Sequence, residues 1–189
     1  KAASQLILHT SESFFAGMRY ATAGNHLHQI SAAVGNYAAH YGYGVVRDLV
    51  GHGIGSHLHE EPEIPNYPKL TRGIRLRSGM TLAVEPMINE GTANVEWLDD
   101  DWTVVTQDGR LSAHYENTIL ITKGKPEILS ITEDEIATHT LLKPKKKNTK
   151  HFQIIKQIPT EVVSQIEENA WNDDTIRLAV KKYKRSINK

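Results

Sequence analysis

The stretch Gly51-His52-Gly53-Ile54-Gly55-Ser56-His57-Leu58-His59-Glu60-Glu61-Pro62 places three imidazoles, three glycines and two carboxylates within twelve residues. Polar groups at that density are costly to enclose unless hydrogen bonds or an ion meet them. Gly51 and Gly53 flank His52 and let the backbone turn sharply and approach a ligand closely. His57 and His59 alternate with Ser56 and Leu58, so they share one side if that piece is extended.

Working outward, the preceding chain is helical. From Lys1 to about Tyr20 the apolar residues Leu6, Ile7, Phe14, Phe15 and Met18 recur at helical spacing, and no capping residue opens the segment. After Ala23-Gly24, Asn25 is the expected N-cap of a second helix. Leu27, Ile30, Val34, Tyr37, Ala38 and Tyr41 hold its apolar face as far as Gly42. The β-branched run Gly44 to Leu49 then leads as a strand into the glycine-rich stretch.

Beyond that stretch, Pro62, Pro65 and Pro68 predict an irregular loop rather than a helix. Met80 to Ile88 predicts a strand whose ladder stops after Glu85, because Pro86 has no N–H to donate. Trp102 to Thr106 and Leu111 to Thr122 flank Gln107-Asp108-Gly109-Arg110, and Asp-Gly predicts a hairpin joining those two runs. A short strand from Glu127 to Leu129 follows, and Thr132 with Glu135 is a capping-box pattern for a brief helix. Two helices followed by antiparallel strands make an α+β domain.

The formal net charge of the 189 residues is zero, and that zero hides an asymmetry. Lys1 to Leu142 carries ten Lys and Arg against seventeen Asp and Glu, whereas Lys143 to Lys189 carries twelve against five. The reading is an acidic domain over 1–142, a basic linker over 143–150 and a basic helical tail over 151–189. Pro159 and Thr160 are expected to open one tail helix and Asn172 to cap another. With no cysteine, disulfides and thiolate metal sites are excluded. No apolar run approaches the roughly 20 residues of a membrane span, and the expectation is a cytoplasmic protein that makes no membrane contact.

Glu85 sits within Leu-Ala-Val-Glu-Pro-Met-Ile and Glu116 within Tyr-Glu-Asn-Thr-Ile-Leu-Ile. A bare carboxylate buried in either apolar run costs several kcal/mol unless a cation or donors meet it, so a compensating positive charge is expected beside both. One His and two Glu on neighbouring strands form a reasonable donor set for a divalent ion. His9, His26, His28, His40, His139 and His151 lack comparable surroundings and are expected to be solvated.

Three ordered motifs carry a family resemblance: Gly51-His52-Gly53-Ile54-Gly55 with His59-Glu60 and Pro62, then Glu85-Pro86-Met87, then Leu111-Ser112-Ala113 with Tyr115-Glu116 and Thr118. Over about Lys1 to Thr132 the chain resembles the bacterial-type methionine aminopeptidases, which have the pita-bread fold. Prolidases and creatinases share the glycine-rich element, but the third motif is closer to the methionine enzymes. The resemblance implies a dinuclear metallopeptidase that removes the initiator methionine from nascent polypeptide N-termini, with two divalent ions drawn from Co, Mn, Fe or Zn. It implies His52, Glu85 and Glu116 as metal ligands, with Glu116 bridging both ions and Glu85 also shuttling a proton. It implies His59 as a substrate contact near the scissile carbonyl, and Leu58 and Trp102 as lining for the methionine side chain. An aromatic is frequent in the family where this chain has Leu58.

The chain departs from the family in one respect. The two aspartate ligands, about ten residues apart in the family, and a further substrate histidine belong to the first half of the pita-bread fold, and this chain matches the second half. Only part of the ligand set is therefore expected here: the chain is read as part of an intact enzyme, favoured over a piece that pairs with a separate first half and over a divergent protein without the activity, and a monomer is expected for the complete enzyme. The alternative is a non-catalytic pita-bread module that binds protein, ribosome or RNA. Its basic tail would contact phosphates, with binding that falls steeply as salt rises.

Overall fold

The computed structural model describes residues 1–138, so the expectations for the linker 143–150 and the tail 151–189 lie outside the described residues. The described chain forms two compact units, one of Lys1–Gly53 with Glu61–Ser130, the other of Ile54–Glu60 with, among the described residues, 131–138. No described helix is long and apolar enough to cross a membrane.

Two helices open the first unit, α1 (Ala2–Met18) and α2 (Leu27–His40). Leu6, Phe14, Phe15 and Met18 of α1 are buried as the spacing predicts, but Ile7 is exposed. Leu27, Ile30, Val34 and Ala38 of α2 are buried, while Tyr41 stands out at the surface. The helices approach closely where a Cβ on Gly17 would lie 2.8 Å from Val34 Cγ2. The N-cap of α2 is His26 rather than the expected Asn25. Gln29 Oε1 accepts the His26 N–H at 2.8 Å, and the Asn25 amide is committed to the Tyr20 carbonyl at the end of α1.

The strands are β1 (Gly44–Val45), β2 (Gly51–Gly53), β3 (Glu60–Ile64), β4 (Thr81–Val84), β5 (Met87–Asn89), β6 (Val95–Trp97), β7 (Val104–Thr106), β8 (Ser112–His114), β9 (Asn117–Leu120) and β10 (Glu127–Ile128). They form a five-stranded sheet in the order β10-β9-β4-β2-β3, a three-stranded sheet β1-β5-β8 and the ribbon β6-β7. The pairings β1-β5, β9-β10, β2-β4, β4-β9, β5-β8 and β6-β7 are antiparallel. Leu6, Ala38, Val45 and Ile88 form a core cluster where the two helices meet the three-stranded sheet. In the second unit, Thr132 and Glu135 form the expected capping box for α3 (Glu133–Thr138), with the Thr132 N–H donating to Glu135 Oε2 at 2.9 Å.

Three strand expectations need correction. The proline-rich segment is not wholly loop: β3 lies at the edge of its sheet, where a missing N–H costs little, and Pro62 is accommodated there. Only Gly44 and Val45 of the predicted run to Leu49 pair as a strand. The turn at Asp108-Gly109 does form, with the Gly109 N–H donating to the Thr106 carbonyl at 3.1 Å and Gly109 at φ +68°. The strands it joins do not pair, however, because β7 pairs with β6 and β8 with β5. Asp108 explains this, since its carboxylate accepts the Thr92 N–H at 2.8 Å and ties the turn to the segment before β6.

One register organises the centre of the first unit. Thr81 pairs with Leu120, and each step along β4 is matched by one step back along β9, as far as Val84 with Asn117. β5 and β8 continue the same count, Met87 with His114 through Asn89 with Ser112, and the Tyr115 N–H donates to the Pro86 carbonyl between them. A single ribbon therefore passes from one sheet to the other without a slip, and Glu85-Pro86 and Tyr115-Glu116 mark the crossing.

Candidate metal centre

At that crossing the register sets Glu85 directly opposite Glu116, one step past Val84 and Asn117. On the other side of β4, His52 pairs with Ala83, and Glu85 lies two residues further along, hence on the same face. The strand pairing thus gathers His52, Glu85 and Glu116, whose donor atoms lie within 4.8 Å of one another. Among the described residues this is the one such group of three.

Local packing supports the arrangement. Phe14 and Phe15 of α1 hold the Tyr115 ring at 5.3 and 6.0 Å between centroids. Tyr115 alternates with its neighbours along the strand, so this contact turns His114 and Glu116 to the opposite face. A Cβ on Gly51 would collide with the Ala83 carbonyl, so glycine is what lets β2 lie against β4 beside His52. Pro86 breaks the ladder, and the buried Asn66 amide donates to the Glu85 carbonyl at 3.2 Å there.

His52 Nδ1 lies 2.9 Å from the Gly53 carbonyl, which can only accept, so Nδ1 carries a proton. In the neutral ring Nε2 then offers a lone pair, and it points at Glu85 Oε1, 3.4 Å away. Lone pair and carboxylate do not attract each other; a proton or a metal ion between them satisfies both. The donor set fits such an ion, since neutral imidazole and carboxylate oxygens are usual ligands of first-row divalent metals. The side chains of His52 and Glu85 are largely enclosed, at 13% and 12% exposure. Glu116 is exposed, which corrects the expectation that apolar surroundings would bury it.

A second imidazole beside Glu85, His114, was not foreseen from the sequence. His114 Nε2 lies 3.5 Å from Glu85 Oε2. This contact raises the His114 pKa above its usual value, against a smaller opposing effect of burial. The signal for His114 was in the sequence: it stands two residues before Glu116 in a strand, so both side chains leave by one face. Beside it lies a cavity of about 140 Å³ lined by Val46, Leu49, Met87, Val95, Val104 and Ser112.

The other predicted residues take surface positions. Leu58 is 65% exposed in the bend of the second unit, where His57 and His59 are also exposed, and the piece is not extended. The His57 N–H donates to Glu60 Oε1 at 2.8 Å, which closes that bend. Trp102, in the first unit, is 86% exposed just before β7. Three histidines expected to be solvated have structural contacts. His9 stacks on Tyr41 at 3.9 Å between centroids, His26 caps α2, and His28 Nδ1 lies 3.0 Å from the Arg72 carbonyl.

The model of metallopeptidase family M24 matches residues 2–123. The chain belongs to metallopeptidase family M24. Membership of this family implies binding of divalent metal, and the three-residue donor group lies within the matched segment. Among M24 relatives, the methionine aminopeptidase of Clostridium acetobutylicum is 54% identical over 131 residues, covering 69% of this chain and 52% of that protein. The Escherichia coli methionine aminopeptidase is 40% identical over 126 residues, covering 67% and 48%. The chain thus spans about half the length of these curated relatives. The crystal structure of methionine aminopeptidase from Thermotoga maritima superposes with a TM-score of 0.67 at 42% identity, over 70% of this chain and 53% of that one. A prolidase from Pyrococcus furiosus, at 22% identity, shares the fold. The expected pita-bread fold is therefore present.

Proposed function

We propose that the protein is a metal-dependent aminopeptidase that removes the N-terminal methionine from nascent polypeptides. The observation that carries this reading is the convergence of donor atoms of His52, Glu85 and Glu116 within 4.8 Å, on a chain 54% identical to a methionine aminopeptidase. Co, Mn, Fe and Zn all suit imidazole and carboxylate donors. An ion held there would lower the pKa of a bound water and polarise the scissile carbonyl.

The chain's own residues would do the rest. His52 presents Nε2 because the Gly53 carbonyl holds Nδ1. Glu116 presents its carboxylate opposite Glu85 and would bridge to a second ion if further donors complete that site. Glu85, largely enclosed and flanked by two imidazoles, would accept a proton from the attacking water and pass it to the leaving amine. His59 would contact the substrate near its scissile carbonyl. Leu58 and Trp102 are each proposed as contacts for an unbranched apolar side chain.

The test is release of methionine from a Met-Ala-Ser peptide by the full-length product of the gene, with added divalent metal. Release is expected, with a large loss on Glu116→Gln, because that change removes a carboxylate donor to the ion. No release, or release unaffected by that change, would contradict the proposal.

A further inference from the structure

His114 has no part in the three-donor set, yet the register fixes its place beside it. It pairs with Met87, two residues beyond Glu85, and so sits diagonally across the ribbon from Glu85 on the face that carries the donors. The two oxygens of Glu85 are shared between two rings: Oε1 lies 3.4 Å from His52 Nε2 and Oε2 lies 3.5 Å from His114 Nε2. The backbone behind Glu85 is tied separately, by Asn66 at its carbonyl. What remains free is rotation of the carboxylate about its own side-chain torsions. A donor on Oε2 removes that freedom.

We infer that His114 is a positioning residue that holds Glu85 Oε2, so that Oε1 is the oxygen presented beside His52 Nε2. The inference rests on the reading that His52, Glu85 and Glu116 hold a divalent ion. Without a donor at position 114 the carboxylate can swing or present both oxygens, and the ordering of Glu85 must then be achieved on binding. Groups that orient a ligand in this way typically contribute 10- to 100-fold to metal affinity. The chemistry needed is one N–H at that reach, so a side-chain amide can replace the imidazole and an apolar side chain cannot.

The probe is Co(II) alone, titrated into the 189-residue chain and read by calorimetry and by the visible absorption of the bound ion. His114→Leu is expected to weaken Co(II) binding by about 10- to 100-fold and to alter the absorption band. His114→Gln is expected to keep the affinity within about threefold and the band of the unaltered chain, because it restores the N–H. Thermal melts of the metal-free proteins separate a local change from failure to fold; if His114→Leu does not fold, His114→Ala takes its place. Undiminished affinity in the apolar variant, or equal losses in the apolar and Gln variants, would overturn the role of His114 and leave the metal site standing. Failure of the unaltered chain to bind Co(II) would overturn both.

Discussion

Glu85 and Glu116 face each other across a register that runs from Thr81 with Leu120 to Asn89 with Ser112 without a slip, although a proline interrupts it. Two carboxylates whose oxygens lie within 4.8 Å repel each other. By Coulomb's law the cost is about 1 kcal/mol with water-like screening and about 4 kcal/mol at the effective dielectric of partly buried pairs. A cation between them reverses the sign. Saturating Mn(II), at about 100 times its Kd, should stabilise the fold by about 2.7 kcal/mol, a rise of roughly 5–10 °C in Tm. Glu116→Gln should leave the metal-free Tm no lower and abolish the rise. Differential scanning fluorimetry reads both, and an undiminished rise in the variant would count against the site.

Gly51 is expected to tolerate no side chain. An alanine there meets the Ala83 carbonyl, which is backbone and cannot move aside without opening the β2-β4 pairing that carries His52. Gly51→Ala should cost at least roughly 1–3 kcal/mol in urea unfolding and weaken metal binding together with it. Normal stability with normal binding would show that the close approach is not needed.

Asn66 anchors the crossing from the other side. Its buried amide satisfies the Glu85 carbonyl, which Pro86 leaves at the end of a broken ladder. Asn66→Leu should therefore cost about 1–3 kcal/mol for the unpaired carbonyl, measured by urea unfolding. The loss should appear in metal-free protein, which separates this residue from the ligands.

The turn at Asp108 predicts a pH dependence. The Thr92 N–H, and then the Arg110 N–H, hold the Asp108 carboxyl below the ordinary carboxylate range. A depressed carboxyl contributes stability that is present above its unfolded pKa and is lost as pH falls through the lower, folded value. Asp108→Ala should thus be less stable than the unaltered chain above about pH 5, with the gap closing below about pH 4. Urea midpoints taken from pH 3 to 7 check this; a gap independent of pH would contradict it.

The helices, their order and the break at Pro86 were legible because periodicity and proline act locally. Strand partners were not. Asp108-Gly109 specifies a turn, but nothing near it says that its carboxylate will bind Thr92 and send β7 to β6. β3 was hidden by its proline, which only the edge position makes harmless. At the candidate site, His52, Glu85 and Glu116 could be singled out as polar groups in costly places. His114 was missed: its place two residues before Glu116 put both on one face, but its reach to Glu85 depends on the register opposite Met87.

The central claim is that His52, Glu85 and Glu116 hold a divalent ion. A crystal soaked in Mn(II), with diffraction recorded for anomalous scattering, tests it most directly. The strongest anomalous peak is expected at about 2.0–2.3 Å from His52 Nε2 and from a carboxylate oxygen of each of Glu85 and Glu116. A strongest peak elsewhere, or none at these three side chains, would contradict it.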